Sequence, residues 1–474
     1  MFKKVIALLL SIAMLMGVLT LSGCGQSKNS KNAFEVPDAG FNPDEEVNIT
    51  FTHTMGAKLQ GVLDNYIEEF NKIYPNIHIT HQSAGGWGDI NGQINTEIAG
   101  GTQPNIAYCY PDHVAMYNIA KSVVTLDNLI ASDKVIPGTE EILGLTAEQK
   151  DDFIKSYFDE GLAYGDGLMY TMPLNKSTEV LYYDKTFFEE NNLTVPKTWD
   201  ELWATCEKIL KIDPDCYPLG YDAEDNWFIT LCEQLKSGYT SAENGGEYLF
   251  NNDKNKEFVK ELREYYQKGY FTTQELYGSY TSNLFVETTD TRCYMCVGSS
   301  GGASYQMSNN DTSDGSFAFE VGVAPIPQYS EDNRKVISQG PSLCILKGGD
   351  TTDQQVMASW LFVKFLCTNI DFQAEFSMAS GYMPVIKSVT ENQNYAAWLA
   401  KGNGYEYLVA KCVQVGIDGR DDYFVSPAFN GSSTARTQVG ALLLKCLSGE
   451  AADDAAVDAL IDGAFEDAIN ECEY

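Results

Sequence analysis

Apolar positions recur along this chain with two periods, and the periods alternate. Val47, Ile49 and Phe51 alternate with polar residues, the two-residue repeat of a half-buried strand. Leu59, Val62, Leu63, Tyr66, Ile67, Phe70 and Ile73 then fall at helical spacing, and Pro75 ends the run. Residues 76–81 predict a second strand. Ile90, Ile94 and Ile98 predict a helix closed by Gly100-Gly101, and residues 105–110 a third strand. Strand, helix, strand, helix, strand implies a mainly parallel sheet covered by helices, an α/β fold. Ligands of such sheets gather at the carboxyl ends of the strands.

The second half is built the same way. Residues 179–183 predict a strand. Thr198 to Glu201 has capping-box spacing ahead of a helix carrying Leu202, Cys206, Ile209 and Leu210. Residues 292–297 and 319–324 predict further strands, and 355–367 an apolar helix. The chain shows no internal repeat and no low-complexity block.

The amino terminus follows a different logic. Lys3 and Lys4 precede an apolar stretch from Val5 to Leu21, then small residues, the order of a secretory signal peptide. The stretch is shorter than the roughly 20 residues of a spanning helix, and Ser11, Gly17 and Thr20 interrupt it. Leu21-Ser22-Gly23-Cys24 resembles a bacterial lipobox, which implies cleavage before Cys24 and lipidation of its sulfur; an ordinary signal peptide is the other reading. Two acyl chains anchor a protein where one does not. Residues 26–44 are polar, with Pro and Gly and no period, and read as a flexible tether. The expected divisions are thus 1–23 signal peptide and 24–44 lipidated tether, followed by the folded mass.

Charge and cysteine content narrow the function. The net charge is −34, and loss of Lys3 and Lys4 with the leader removes two positive charges more. Such a surface repels nucleic acid and anionic headgroups, so membrane attachment falls to the lipid alone. Besides Cys24 there are eleven cysteines, an odd number scattered over a large domain and a poor disulfide framework. Most read as small buried hydrophobes. Cys293 and Cys296 have CxxC spacing without a second such pair. His78 and His81 sit three apart on a strand, facing opposite sides, a poor metal pair. No cofactor is expected.

Several stretches taken in order carry a family resemblance: Ile49–Met55, Pro173–Lys185, Val195–Leu202, Gln339–Leu343 and Ser380–Pro384. Together they resemble the extracellular solute-binding proteins of carbohydrate ABC importers (family 1), nearest the branch of glycerol-3-phosphate-binding proteins. The resemblance runs from about residue 47 to about 460. It implies a two-lobed, maltose-binding-protein-like (type II) fold with three interlobe crossings, near 172–175, 336–341 and 381–385. The lobes would comprise 45–172 plus 341–380, and 173–336 plus 385–474. Gly and Pro at the crossings suit hinges.

The same resemblance implies the ligand-binding residues. Trp87 would be a stacking platform, or else a loop cap. Ser177 and Ser299 would bond the ligand, Trp227 would match the inner of two family tryptophans, and Gly340 a close-approach glycine. Tyr382 and Arg436 would reach the ligand, Arg436 otherwise being a surface ion pair. Glu224 stands where the outer tryptophan would be, which puts a phosphate ester in doubt. Asp112 replaces a family glutamate and is expected to accept from ligand hydroxyls. The expected function is capture of a sugar by a monomer anchored outside the cell membrane, for delivery to ABC permease subunits. Glycerol-3-phosphate or polyol-phosphate import and ligand delivery to a sensor remain open beside it.

A hydrolase is the rival from another class, because Gly298-Ser-Ser-Gly-Gly302 satisfies G-x-S-x-G with Ser300 as nucleophile. His53, His78, His81 and His113 all precede Ser300, so the usual serine, acid, histidine order cannot be assembled. No P-loop is present. The sequence therefore reads as a binding protein and not an enzyme.

Overall fold

The structure is a computed structural model that describes residues 34–288, 290–307, 318–400 and 404–473. The leader, the lipobox and Cys24 lie outside these residues. In chain order the main strands are β1 (Val47–His53), β2 (Ile77–Ser83), β3 (Ile106–Cys109), β4 (Met172–Pro173), β5 (Ser177–Asp184) and β6 (Tyr217–Tyr221). They continue as β7 (Phe271–Thr273), β8 (Cys293–Ser299), β9 (Val321–Pro325), β10 (Val336–Gln339), β11 (Ser342–Ile345) and β12 (Tyr423–Phe424). Each predicted strand is present, displaced by one or two residues at its ends.

Two sheets result. The first has the order β2-β1-β3-β11-β4 and the second the order β12-β10-β5-β8-β6-β7, with β9 also paired to β5. β1 runs parallel to β2 and β3, while β11 returns antiparallel to β3. Alternation in β1 works as read: Val47 and Ile49 are buried, Asn48 and Thr50 exposed. Helices Ala57–Ile73 and Asp353–Thr368 cover the first sheet, meeting where Phe70 and Phe362 pack edge to face at 5.1 Å. Helices Trp199–Ile212, Glu224–Leu235 and Ser432–Ser448 belong with the second core, around Trp199, Leu219, Trp227 and Val439. The predicted capping box is formed: Thr198 Oγ1 accepts from the Glu201 amide at 3.2 Å, and Glu201 accepts from the Thr198 amide at 3.4 Å.

The chain passes between the sheets three times, in tighter segments than the sequence indicates. It leaves β4 at Pro173 and enters β5 at Ser177, and it leaves β10 at Gln339 and enters β11 at Ser342. The third passage follows helix Ile370–Ser380. The three segments touch. The amides of Leu174 and Asn175 donate to Pro341 O, and Lys176 and Met383 exchange backbone hydrogen bonds. Gly340 has φ +94°, and a Cβ there would lie 2.7 Å from Asn175 O and 2.8 Å from the Ser177 nitrogen, so this position demands glycine. Beside them Lys176 is fully buried, paired with Glu160 at 2.6 Å and donating to Ser342 Oγ at 3.2 Å.

All eleven described cysteines are buried and free. Cys293 and Cys296 are among them, so the CxxC spacing is a strand's packing and not a redox pair. His81 bonds His53 at 2.9 Å and Asp64 at 2.8 Å, and His78 turns away to Glu46. Among the described residues no three metal-ligating groups cluster, and no helix is long and apolar enough to cross a membrane.

Candidate ligand cleft

Between the two sheets lies a cavity of about 890 Å³. Its first wall is the end of β3 and the turn after β2. Gly85 (φ +90°) and Gly86 bend the chain, and Asp89 accepts from the Gly86 amide at 2.8 Å to start helix Trp87–Gly100. That places Trp87, the first helical residue, on the cleft. Its ring lies 4.2 Å from Tyr110 at an interplanar angle of 31°. The two rings form an apolar platform of the kind that covers a sugar's C–H face.

Helix Pro111–Tyr117 follows β3 and puts Asp112 in its first turn. Asp112 Oδ2 accepts from Arg436 Nε at 3.1 Å, and Oδ1 accepts from the His113 amide at 3.1 Å. Burial is the largest single influence on this carboxyl's pKa and raises it, but the charges of Arg436 and His113, with the hydrogen bonds from Arg436 and the His113 amide, together outweigh burial and hold it below the ordinary aspartate range. Arg436 comes from the opposite wall, on helix Ser432–Ser448. It also reaches Asp225 at 3.4 Å and bonds Asn226 Oδ1. Asp112 therefore holds an arginine, where the sequence reading had it accept from ligand hydroxyls.

The second wall is the face of β5 and β8. Ser177 and Glu179 stand two apart on β5, hence on one face, and Ser299 pairs with Glu179 in register. Ser299 Oγ accepts from the Gly301 amide at 3.2 Å, opening a small-residue turn against which the Tyr382 ring closes. Burial raises the Asp222 carboxyl to about 6, although the backbone N–H and hydroxyl of Thr281 both donate to it at 2.8 Å.

Six of the eight residues named from sequence thus line one cleft: Trp87, Asp112, Ser177, Ser299, Tyr382 and Arg436. The other two do not. Trp227 is wholly buried, stacked on Tyr221 at 4.2 Å and 6° and packed by Phe271, because its helix turns that face into the second core. Gly340 is not itself part of the lining; it lies behind it, pressed against the backbone of Asn175 to Ser177 at the crossing. Sequence reasoning missed Tyr110, Glu179, Asp222, Asp225 and Gln306. For Glu179 a signal existed, its two-residue spacing from Ser177. Ser300 is fully buried, its Oγ accepting from the Thr178 amide at 3.3 Å, so it is no exposed nucleophile.

Two α/β lobes joined by three crossings, with a polar and aromatic cleft between them, are the architecture of a solute-binding protein. The chain belongs to the bacterial extracellular solute-binding proteins, whose family pattern matches residues 65–402. This is a family of solute-binding proteins that work with ABC-transporter permeases, rather than of enzymes. Among characterised relatives, the sn-glycerol-3-phosphate-binding periplasmic protein UgpB of Rhizobium meliloti is 26% identical over 298 residues, 59% of this chain. The alignment spans 64% of that protein's length, a little under two thirds. UgpB of Yersinia pestis is 23% identical over 352 residues, covering 72% of this chain and 75% of its own. The fold is that of the GacH receptor of Streptomyces glaucescens, studied unliganded and with acarbose, at TM-score 0.68 and 16% identity over 90% of this chain and 99% of that one. UgpB of Mycobacterium tuberculosis in complex with glycerophosphocholine superposes with TM-score 0.68 at 17% identity, over 89% and 98%. Maltose-binding relatives of the same two-lobed class superpose as well.

Proposed function

We propose that this chain is the substrate-binding lipoprotein of an ABC importer and captures a neutral carbohydrate between its lobes. The lobes comprise residues 45–172 plus 341–380 and 173–336 plus 385–474. Lipid on Cys24 tethers the monomer to the outer face of the cell membrane and keeps it near its permease, raising their effective concentration. Trp87 and Tyr110 take the sugar face, while Ser177, Ser299 and Tyr382 bond its hydroxyls.

One observation carries the choice of a neutral sugar. Arg436 is the sole lysine or arginine among the described residues lining the cleft, and Asp112, Asp225 and Asn226 already hold it. The carboxyl groups of the lining that lie outside that cluster, Glu160, Glu179 and Asp222, are acids and supply no positive charge. A phosphate dianion entering there meets repulsion without a free cation to offset it. The glycerol-phosphate reading is favoured by the printed ligand of the UgpB relatives and stays as the second one.

The deciding experiment is a thermal-shift panel on the soluble form beginning at Gln26, with maltose, maltotriose, mannotriose, tagatose, sn-glycerol 3-phosphate and glycerophosphocholine. A ligand at about 100 times its Kd adds roughly 2.7 kcal/mol to stability. A shift with a neutral sugar, recovered intact, supports the reading. A shift confined to the phosphate esters overturns it, and cleavage of the sugar would bring back a hydrolase.

A further inference from the structure

Glu179 is a buried carboxyl among the residues of the cleft lining. It is 2% exposed. The Tyr221 hydroxyl donates to its Oε2 at 2.8 Å, and the Tyr221 ring is itself clamped flat on Trp227. Oε1 is shielded from water and has no partner within the protein. Leaving one oxygen of a buried carboxyl unbonded is unfavourable, and a ligand hydroxyl reaching it would relieve that. Three more buried, unpartnered polar atoms belong to residues of the same lining: His113 Nδ1 from the first wall, and Gln306 Oε1 and Ser426 Oγ. Orphaned groups converging on one cavity from separate elements are the arrangement a polyhydroxyl ligand satisfies.

Resting on the carbohydrate reading above, we propose that Glu179 is a specificity-determining residue whose Oε1, the oxygen that Tyr221 leaves unbonded, bonds one hydroxyl of the bound sugar. Burial raises this carboxyl to about 8 against the opposing Tyr221 bond; Asp225 and Asp222 push the same way and Arg436 opposes them. The acid therefore carries its proton at neutral pH and donates it in a hydrogen bond to the sugar oxygen. The Trp227 that sequence placed at the ligand acts one step behind, through Tyr221.

The test is calorimetric titration of the soluble chain with the tightest neutral sugar of the panel and its monodeoxy analogues. Wild type, Glu179→Gln, Glu179→Leu and Tyr221→Phe are compared at pH 6 and pH 9.5. Glu179→Gln, which keeps a donor, should hold affinity within about threefold at pH 6. Wild type should weaken about tenfold at pH 9.5 as the proton is lost, while Glu179→Gln does not. Glu179→Leu should lose roughly 10- to 100-fold, and one monodeoxy sugar, weak on wild type, should show no further loss on it. Tyr221→Phe should fall between. A folded Glu179→Leu that binds like wild type, or that weakens every analogue equally, overturns the assignment and leaves the carbohydrate reading standing. Should that variant not fold, a Glu179→Gln pH profile identical to wild type overturns it. Wild type binding no neutral sugar overturns both.

Discussion

Arg436 and Asp112 meet across the cleft at 3.1 Å, one from each wall. The pair is made only when the lobes are together, so its energy bears on closure more than on folding. Breaking a buried pair by removing one partner costs about 3–5 kcal/mol when the other must stay buried. In an opened molecule Asp112 can hydrate, and the penalty falls on the closed form alone. Arg436→Met should therefore leave the melting temperature of the ligand-free protein within a few degrees and weaken binding at least tenfold. Small-angle scattering should show a more extended ligand-free shape than wild type. A large fall in melting temperature with unchanged compaction would refute this.

The same pair sets an acid limit. Asp112 has a lowered pKa in the closed form, so its contribution is present above the ordinary aspartate value of 3.8 and is lost as pH falls through the lowered one. Closure, followed by fluorescence transfer between labels on the two lobes, should weaken below about pH 4. In Asp112→Asn that acid dependence should be reduced.

Two tryptophans should separate binding from stability. Trp87→Ala removes a half-buried cleft ring and should cut sugar affinity roughly tenfold with little thermal effect. Trp227→Ala empties a site in the second core and should destabilise by about 3–5 kcal/mol. Paired denaturation and binding measurements check this, and the reverse pattern would put Trp227 at the ligand after all.

Glu179 makes global stability depend on pH in the opposite sense from Asp112. Its folded value of about 8 lies above the ordinary 4.5, so the folded state holds a proton that the unfolded state releases between them. That contribution is full below about pH 4.5 and lost as pH rises through about 8. Urea titrations at several pH values should show wild type weakening across this window relative to Glu179→Gln.

The thiols should be silent until the fold opens. All eleven described cysteines are buried, and burial raises those of Cys109, Cys206, Cys232 and Cys293 well above the usual range, which suppresses the reactive thiolate. A thiol reagent should label the native soluble form negligibly and all eleven sites in denaturant. Fewer than eleven in denaturant would reveal a disulfide.

What sequence revealed and what it hid follow from how local each signal is. β1 and its helix were legible because a buried face imposes a period. Trp87 was placed on the cleft by the family resemblance, and the Gly85-Gly86 turn is what puts it there. Trp227 was misplaced, since nearly every face of its helix is buried, and which one meets the cleft depends on packing against Phe271, 44 residues on, as well as on nearby Tyr221. Asp112 lines the cleft, but its bond to Arg436 was hidden, because that partner lies 324 residues on. Gly340 was marked as a tight approach, yet only the crossing shows that what it approaches is Asn175–Ser177.

The three crossings meet at that spot: residues 174–176 carry Pro341 and Gly340 on one side and Met383 on the other, with the Lys176–Glu160 pair buried beside them. Three independent ropes would let the lobes twist, slide and yaw. Three cords laced together act as one joint: none can slide without the others, so any change in the angle between the lobes must be absorbed by these few residues at once.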